Sequence, residues 1–207
     1  MAADLRKHLI TSAEQLEAVF CDPPLANALT KEIDHINSSY RALIEAAPFF
    51  ALATNGPEGL DCSPRGDPAG FVRVADEKTL LIPDRRGNNR IDSFRNIVEG
   101  SGLLQLIFFV PGIDETLRVG GRGSVTTDAG LMASMIEFGK PPRAVLRIEV
   151  KEAYFHCGKA LMRSKLWAGE RVERSVMPSI GEVIHDQTGL GERESQEIIY
   201  ERYKTQL

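Results

Sequence analysis

Cysteine is scarce in this chain. Of its 207 residues only three are cysteines, and one is a tryptophan. Cys21, Cys62 and Cys157 are too far apart in the sequence for a Cys-x-x-Cys metal site, and their number and spacing argue against a disulfide framework. We therefore expect each cysteine to be a small buried side chain rather than a reactive thiol.

Metal ligands, excess positive charge and long apolar runs are also lacking. The four histidines show no His-x-x-x-His spacing, so no metal site is predicted. The net charge of −4 argues against nucleic acid as the main partner. Apolar runs such as residues 103–110 are too short to cross a bilayer, and the N-terminus lacks the apolar core of a secretory signal. We expect no membrane partner and a cytoplasmic location.

Short apolar segments with brief connections predict a mainly β protein. In residues 146–151 apolar and charged side chains alternate, as in an antiparallel strand with one buried face. Inserted helices are predicted at residues 90–99 and 128–138, which together with the hairpins indicates a closed or nearly closed barrel. The strands are predicted at residues 49–54, 60–63, 71–75, 79–82, 103–110, 116–126 and 145–155.

Further helices are predicted on both sides of these strands. A capping-box pattern at Ser12 opens a helix to about residue 20, and an apolar stripe predicts one long helix over residues 26–46. Residues 158–167 and 193–204 predict helices in the tail. Inside the strand at residues 116–126, Gly120, Gly121 and Gly123 indicate a bulge or barrel corner, or alternatively a close ligand.

The segment 80–96 carries the strongest functional signal. A short apolar strand runs into a Gly/Asn turn with three arginines and then into a helix. Backbone N–H groups at such a turn converge, and guanidinium groups bind phosphate in a bidentate manner. A phosphate site is one interpretation; an ordinary tight turn with solvated arginines is the other.

The order of these segments resembles that of the FMN-binding split-barrel proteins related to pyridoxamine 5'-phosphate oxidase. The similarity extends from about residue 49 to 167, and residues 86–90 (Arg-Gly-Asn-Asn-Arg) and 116–122 (Thr-Leu-Arg-Val-Gly-Gly-Arg) carry it most strongly. It implies a six-stranded antiparallel split β-barrel with added helices, and a homodimer with FMN at the subunit interface. The implied domains are a helical extension (1–47), the FMN-binding barrel (48–167) and a helical tail packing on the barrel (168–207).

The resemblance also implies which residues contact the cofactor. Residues 63–65 would follow the isoalloxazine edge, residues 82–84 would pass beneath the ring or ribityl chain, and residues 88–90 would take the phosphate. Arg86 is preferred to Arg85, because neighbours in an extended loop point apart. The implied set is Ser63, Pro64, Arg65, Ile82, Pro83, Asp84, Arg86, Asn88, Asn89, Arg90, Arg118, Lys159, Arg163 and Trp167.

Four of these residues have equally simple structural roles. Arg118 either approaches the flavin from the adjoining strand or forms a salt bridge within the barrel. Lys159 and Arg163 lie four residues apart on one predicted helix face, either as a phosphate clamp from the partner subunit or as a surface helix. Trp167 either covers the ring or anchors the tail helix.

Departures from the oxidase pattern bear on the reaction. An acidic segment at residues 194–204 replaces the Arg- and His-rich end of the vitamin B6 oxidases, so pyridoxamine phosphate is not expected as substrate. The leading hypothesis is an FMN-dependent oxidoreductase acting on an unknown small molecule or electron donor, with no catalytic residue assigned. The alternatives are a non-catalytic flavin carrier or sensor, or a cleft that holds a deazaflavin or haem.

Overall fold

In a computed structural model, residues 5–206 form seven β-strands and eight α-helices, and side chains are described for residues 7–206. The strands are Phe49–Gly56 (β1), Gly59–Gly66 (β2), Arg73–Asp76 (β3), Thr79–Pro83 (β4), Leu103–Phe109 (β5), Thr116–Thr126 (β6) and Val145–His156 (β7). The helices are Ala13–Val19 (α1), Ala26–Thr30 (α2), Ser38–Ala46 (α3), Asp92–Glu99 (α4), Ala129–Ser134 (α5), Lys159–Ser164 (α6), Ile180–Thr188 (α7) and Gln196–Lys204 (α8). Two 3-10 turns lie at Leu5–His8 and Arg174–Val176.

The strands form one antiparallel sheet in the order β2-β1-β5-β6-β7-β4-β3. The expected mainly β, antiparallel architecture and the seven strand segments predicted from the sequence pattern are confirmed, whereas the six strands implied by the resemblance are one too few. The short strand β3 pairs with β4 and makes seven. Among the described residues no pairing joins the edge strands β2 and β3, so the sheet is not closed by hydrogen bonds.

Alternation along the central strands separates a buried face from a half-exposed one. On β5, Leu104, Leu106 and Phe108 are buried, whereas the residues between them are partly exposed. The buried face packs with α3 and α4, which contribute Ile44 and Ile97. Burial of such side chains contributes about 1.5–3 kcal/mol each to folding. The core therefore fixes where both helices begin, and α4 begins at the arginine-rich turn.

The expected bulge lies opposite the paired glycines of β6, but its extra residue is on β7: Gly120 pairs with Glu152 and Gly121 with Val150, which leaves Lys151 between them. The register between β6 and β7 shifts between Gly120 and Gly121. A Cβ atom added to Gly121 would lie 2.2 Å from the carbonyl oxygen of Glu149, so the backbones approach too closely for any side chain.

The long helix predicted over residues 26–46 is wrong, because the chain is helical only in α2 and α3. Between them Ile33 exchanges backbone hydrogen bonds with Ala153, and the Ile36 N–H donates to the Glu77 carbonyl. Asn37 then caps α3, its Oδ1 accepting from the Tyr40 N–H at 2.9 Å. The apolar stripe correctly marks the buried side of this segment. Between α2 and α3, however, the backbone forms hydrogen bonds to other segments instead of bonds within a helix.

Three other sequence expectations also need correction. Cys21, Cys62 and Cys157 are all exposed, not buried. The helix expected at residues 128–138 ends at Ser134, and the tail contains α7, which was not predicted. The Ser12 cap is confirmed, because its side chain accepts from the Gln15 N–H.

Residue contacts divide the chain into two units, residues 1–32 and 33–207. In the first unit no side chain of α1 or α2 is buried. The second unit contains the whole sheet and helices α3 to α8. The three-part division at residues 47 and 167 stays a prediction. None of the helices in residues 5–206 combines the length and the apolar character needed to span a membrane.

Candidate functional site

The turn between β4 and α4 holds the arginine-rich segment in a defined shape. Its first residue, Asp84, donates its backbone N–H to the Ala144 carbonyl at 2.9 Å. Asn88 Oδ1 accepts the Arg90 N–H at 3.0 Å, and Asn89 has a left-handed backbone with a φ of 61°. Asparagine tolerates this conformation better than most residues, which explains its place here. The turn delivers the chain to the N-terminus of α4.

The first turn of α4 is tied to the edge strand β2. Ser93 Oγ donates to Asp61 Oδ2 at 2.7 Å and lies 3.0 Å from Ser63 Oγ. Since the Ser93 proton is used on Asp61, Ser63 is the donor to Ser93. At the helix start Ile91 provides no side-chain cap, so the first backbone N–H groups lack intrahelical partners.

A cleft of about 790 Å³ opens between β2 and the turn. It is lined by Asp61, Ser63, Pro64, Arg65, Arg86, Gly87, Asn88, Arg90, Asp92, Ser93, Tyr203 and Gln206. Six of the residues implied by the resemblance are thus brought together, namely Ser63, Pro64, Arg65, Arg86, Asn88 and Arg90.

Arg65 has hydrogen-bonding capacity that the protein does not use. Its Nε atom is buried without a hydrogen-bond partner, and Nη1 lies 3.6 Å from Asp84 Oδ1. The guanidinium carbon sits 5.7 Å from the centre of the Phe94 ring. A buried N–H group without a hydrogen-bond partner lowers the stability of the folded state by about 1–3 kcal/mol. Its presence on a cleft wall indicates that a ligand atom accepts this hydrogen bond.

Asp84 is an acidic residue of this region whose pKa is shifted. Burial raises the pKa of its carboxyl above the usual range, while the positive charges of Arg65, Arg143 and Arg85 partly oppose the shift. Arg85 itself is committed elsewhere, because its Nε pairs with Asp67 at 2.5 Å. The choice of Arg86 over Arg85 as the cleft residue agrees with this geometry.

The remaining charges leave the cleft with free positive groups. Arg86 makes no hydrogen bond or ion pair with any described residue, and it is exposed. Arg90 Nε donates to Asp92 Oδ2 at 2.8 Å, but 76% of its side chain is accessible, so little holds that pair in place. An anion at the helix start could therefore take both guanidinium groups.

Other implied residues lie around or away from the cleft. Ile82 and Pro83 are buried at the end of β4. Asn89 does not line the cleft, and its Oδ1 accepts from Arg143 Nη1 at 2.8 Å. Asp84 lines a neighbouring pocket.

Arg118, Lys159, Arg163 and Trp167 are not brought to this cleft within one chain. Arg118 lies on the half-exposed sheet face, with its guanidinium carbon 5.1 Å from the centre of the Tyr154 ring. Lys159 and Arg163 are exposed on α6. Trp167 Nε1 donates to the Ile113 carbonyl at 2.8 Å, which matches the anchoring role.

Beyond Gly87 and Asp92, which belong to the turn segment itself, five residues of the site region are missing from the implied set. Asp61 and Ser93 could have been found from their places beside Ser63 and in the first turn of α4. Arg143, Tyr203 and Gln206 arrive from distant segments through tertiary packing, which no local pattern signals. Among residues 5–206 no group of three potential metal ligands occurs.

Comparison with known proteins identifies the family to which the chain belongs. A family model described as pyridoxamine 5'-phosphate oxidase matches residues 36–157. Among solved structures the chain is similar to HupZ from Group A Streptococcus, with 17% identity, a TM-score of 0.47, and coverage of 67% of this chain and 99% of that one. It is similar to an FMN-binding protein from Syntrophomonas wolfei subsp. wolfei, with 14% identity, a TM-score of 0.44, and coverage of 56% and 83%.

A third similar structure is General Stress Protein 26 from Bacillus anthracis str. Sterne, with 13% identity, a TM-score of 0.41, and coverage of 55% and 88%. No curated protein matches the chain.

Proposed function

We propose that this chain, which belongs to the pyridoxamine 5'-phosphate oxidase family, binds FMN in the cleft between β2 and the turn at residues 84–91. One observation carries the proposal: the buried, unpaired Nε–H of Arg65 on the cleft wall. A flavin carbonyl would give this donor its missing acceptor. Guanidinium charge near the ring would also favour the anionic reduced flavin.

The phosphate would lie at the start of α4. Arg86, Asn88 and Arg90 line this end of the cleft, and the free N–H groups of the first helical turn add donors and the positive end of the helix dipole. Asp92 would then exchange its contact with Arg90 for solvent. Asn89, bound to Arg143, would hold the turn in shape rather than reach the phosphate itself.

The ring and ribityl chain would run from the phosphate toward β2. Ser63, Pro64 and Arg65 would lie along the ring edge, with the segment at residues 82–84 beneath it. FMN supplies hydride or single-electron transfer, and this chain's residues bind, orient and shield it. The resulting activity is that of an FMN-dependent oxidoreductase acting on a small-molecule substrate or electron donor.

A homodimer would complete the site, with FMN at the subunit interface. On the half-exposed sheet face, four residues on neighbouring strands lie directly opposite one another. They are Arg118 on β6, Ile107 on β5, Ala51 on β1 and Pro64 on β2. On the same face Phe49 is 40% exposed, which is unusual for a large apolar strand residue unless another surface covers it. In such a dimer a second copy would supply Arg118, Lys159, Arg163 and Trp167.

A non-catalytic flavin carrier or sensor is the second candidate. No histidine or cysteine lines the described cleft, so proton transfer to a substrate there would depend on Tyr203 or on the carboxyl groups of Asp61 and Asp92. Bleaching of the bound flavin by a nicotinamide nucleotide would favour the enzyme, whereas reduction by dithionite alone would favour the carrier.

The proposal is tested by titrating the purified protein with FMN and by replacing Arg65. We expect flavin absorption bands in the purified protein, and about 10- to 100-fold weaker FMN binding in Arg65→Met by calorimetry, from loss of a charge-assisted hydrogen bond. Arg147→Met is the matched control, because Arg147 is exposed on β7 and does not line the cleft. Equal affinity in both variants, a Soret band or a deazaflavin spectrum would contradict the proposal.

A further inference from the structure

A tight hairpin after α5 carries an aromatic residue where the backbone disfavours one. Glu137 and Lys140 exchange backbone hydrogen bonds of 3.2 and 2.9 Å, and the two residues between them have φ values of 50° for Phe138 and 72° for Gly139. Two-residue turns with both φ values positive prefer Asn-Gly or Asp-Gly. A bulky residue at the first position is strained, and such strain concentrates at functional sites.

The strained ring is also exposed. Phe138 is 59% accessible and lines a pocket of about 210 Å³ on the other side of the turn at residues 84–90. Pro141 gives this pocket a second apolar surface, and Arg86 and Gln206 line both the pocket and the FMN cleft. The pocket is therefore adjacent to the proposed cofactor.

The charges of the pocket are unevenly paired. Asp67 is engaged by Arg85 at 2.5 Å, and Asp84 lies 3.6 Å from Arg65. Arg86 makes no polar contact with the described residues, and Arg143 donates only to the neutral amide oxygen of Asn89. Glu137 and Lys140 also line the pocket, and the positive charge of Arg143 acts on Asp84, but no carboxylate of the described residues is hydrogen-bonded to Arg86 or Arg143, which lie beside an exposed aromatic ring.

We propose that this pocket binds a small planar carboxylate, such as an aromatic acid, as the substrate beside FMN. The ring of Phe138 stacks on the planar body and Arg143 binds the carboxylate, while Arg86 remains at the FMN phosphate. A fork of guanidinium N–H groups suits the two oxygens of a carboxylate, and an aromatic face suits a flat apolar body. The substrate assignment rests on the proposed function, but the binding site does not.

The test uses benzoate as the probe and Phe138→Asn as the variant. Asparagine fits the left-handed position, so we expect the melting temperature to rise by about 2–4 °C. Loss of the stacking surface is expected to weaken benzoate binding about tenfold in calorimetry. FMN affinity stays unchanged, because Phe138 does not line the FMN cleft. Benzyl alcohol, which has the ring without the charge, is expected to bind about tenfold more weakly than benzoate to the unaltered protein.

The outcomes separate this inference from the proposed function. Three results would each overturn the proposal that this pocket binds a planar carboxylate. They are FMN binding without benzoate binding, equal benzoate affinity in Phe138→Asn, and equal affinity of the unaltered protein for benzoate and benzyl alcohol. Loss of a dimer in Phe138→Asn would also overturn it, because the ring would then be covered by a second copy. Benzoate binding to a protein that takes up no FMN would support the pocket while refuting the cofactor proposal.

Discussion

At the scale of single residues, Asp84 connects the stability of the protein to the proposed site. Its carboxyl lies between two cavities, in contact with Arg65, and its pKa is raised by burial. The raised value means that ionising Asp84 costs more in the folded than in the unfolded chain. The folded state then binds the proton more tightly, so stability falls as pH rises through the range between the ordinary and the raised pKa.

Asp84→Asn should therefore become relatively more stable than the unaltered protein as pH increases. Near pH 3 both side chains are neutral and the difference is small; above the ordinary aspartate value of about 3.9 the unaltered protein loses stability and the variant does not. Urea denaturation at several pH values between about 3 and 7 measures this. A pH-independent difference would show that folding does not shift the pKa of Asp84, and a difference that grows in the opposite direction would show that Arg65 stabilises the ionised carboxyl.

Residues that border the turn in sequence were predictable, whereas those brought in by packing were not. Ser63, Arg65, Arg86 and Arg90 belong to two local motifs, and the structure places all four on one cleft. Tyr203 lies in an acidic tail that sequence reasoning judged a poor phosphate trap, yet it lines the same cleft. Its position depends on how α8 folds back, which composition does not encode.

At the scale of elements, the bulge on β7 explains two of the three glycines of β6, whereas Gly123 lies against the core side chains of Leu104, Leu146 and Ile97. Gly120 faces the Gln105 and Glu152 side chains, and Gly121 lies against the backbone of β7. The bulge at Lys151 bends β7 and lets it pair along the whole length of β6 despite the extra residue.

Gly121→Ala should destabilise the protein by about 1–3 kcal/mol, because the new methyl group overlaps the Glu149 carbonyl oxygen and the strands must separate. Gly87→Ala is the control, since a Cβ atom there meets nothing within 4 Å and its φ is not in the left-handed range. Chemical denaturation of the two variants compares them. Equal stabilities would mean that β6 can shift without cost.

Element types followed from the pattern more reliably than element boundaries. The strand predicted at residues 116–126 coincides with β6, because its β-branched and glycine residues are bounded by clear turn signals. The segment 26–46 misled because Ile33 and Ile36 fit a helical stripe, whereas Ile33 forms a β-bridge with Ala153 and Ile36 donates its N–H to the Glu77 carbonyl. Periodicity identifies the buried face of such a segment but not its backbone conformation.

At the scale of the whole molecule, the half-exposed sheet face is the feature that points to a second copy. Its central residue, Ile107, lies opposite Arg118 on one side and Ala51 on the other. A face that is apolar at its centre and polar at Arg118 resembles the surfaces that proteins bury on association.

Ile107→Glu should convert a dimer into a monomer without unfolding it, because the new carboxylate can pair with Arg118 in the monomer but would be buried in the dimer. Sedimentation equilibrium measures the change, and FMN affinity should fall with it if two subunits form the site. Leu190→Glu is the control, since Leu190 is 71% exposed in the tail. A monomeric unaltered protein, or a dimeric Ile107→Glu variant, would contradict the assignment.

The contact between Arg65 and Asp84 has one more consequence, because the first residue lines the cleft and the second lines the pocket. A ligand in the cleft that moves Arg65, or one in the pocket that moves Asp84, changes the electrostatic potential in the other cavity. Thermodynamic reciprocity then requires that each ligand change the affinity of the other by the same factor. Occupancy of one cavity would in this way change binding in the other through the Arg65–Asp84 contact, together with Arg86 and Gln206, which line both.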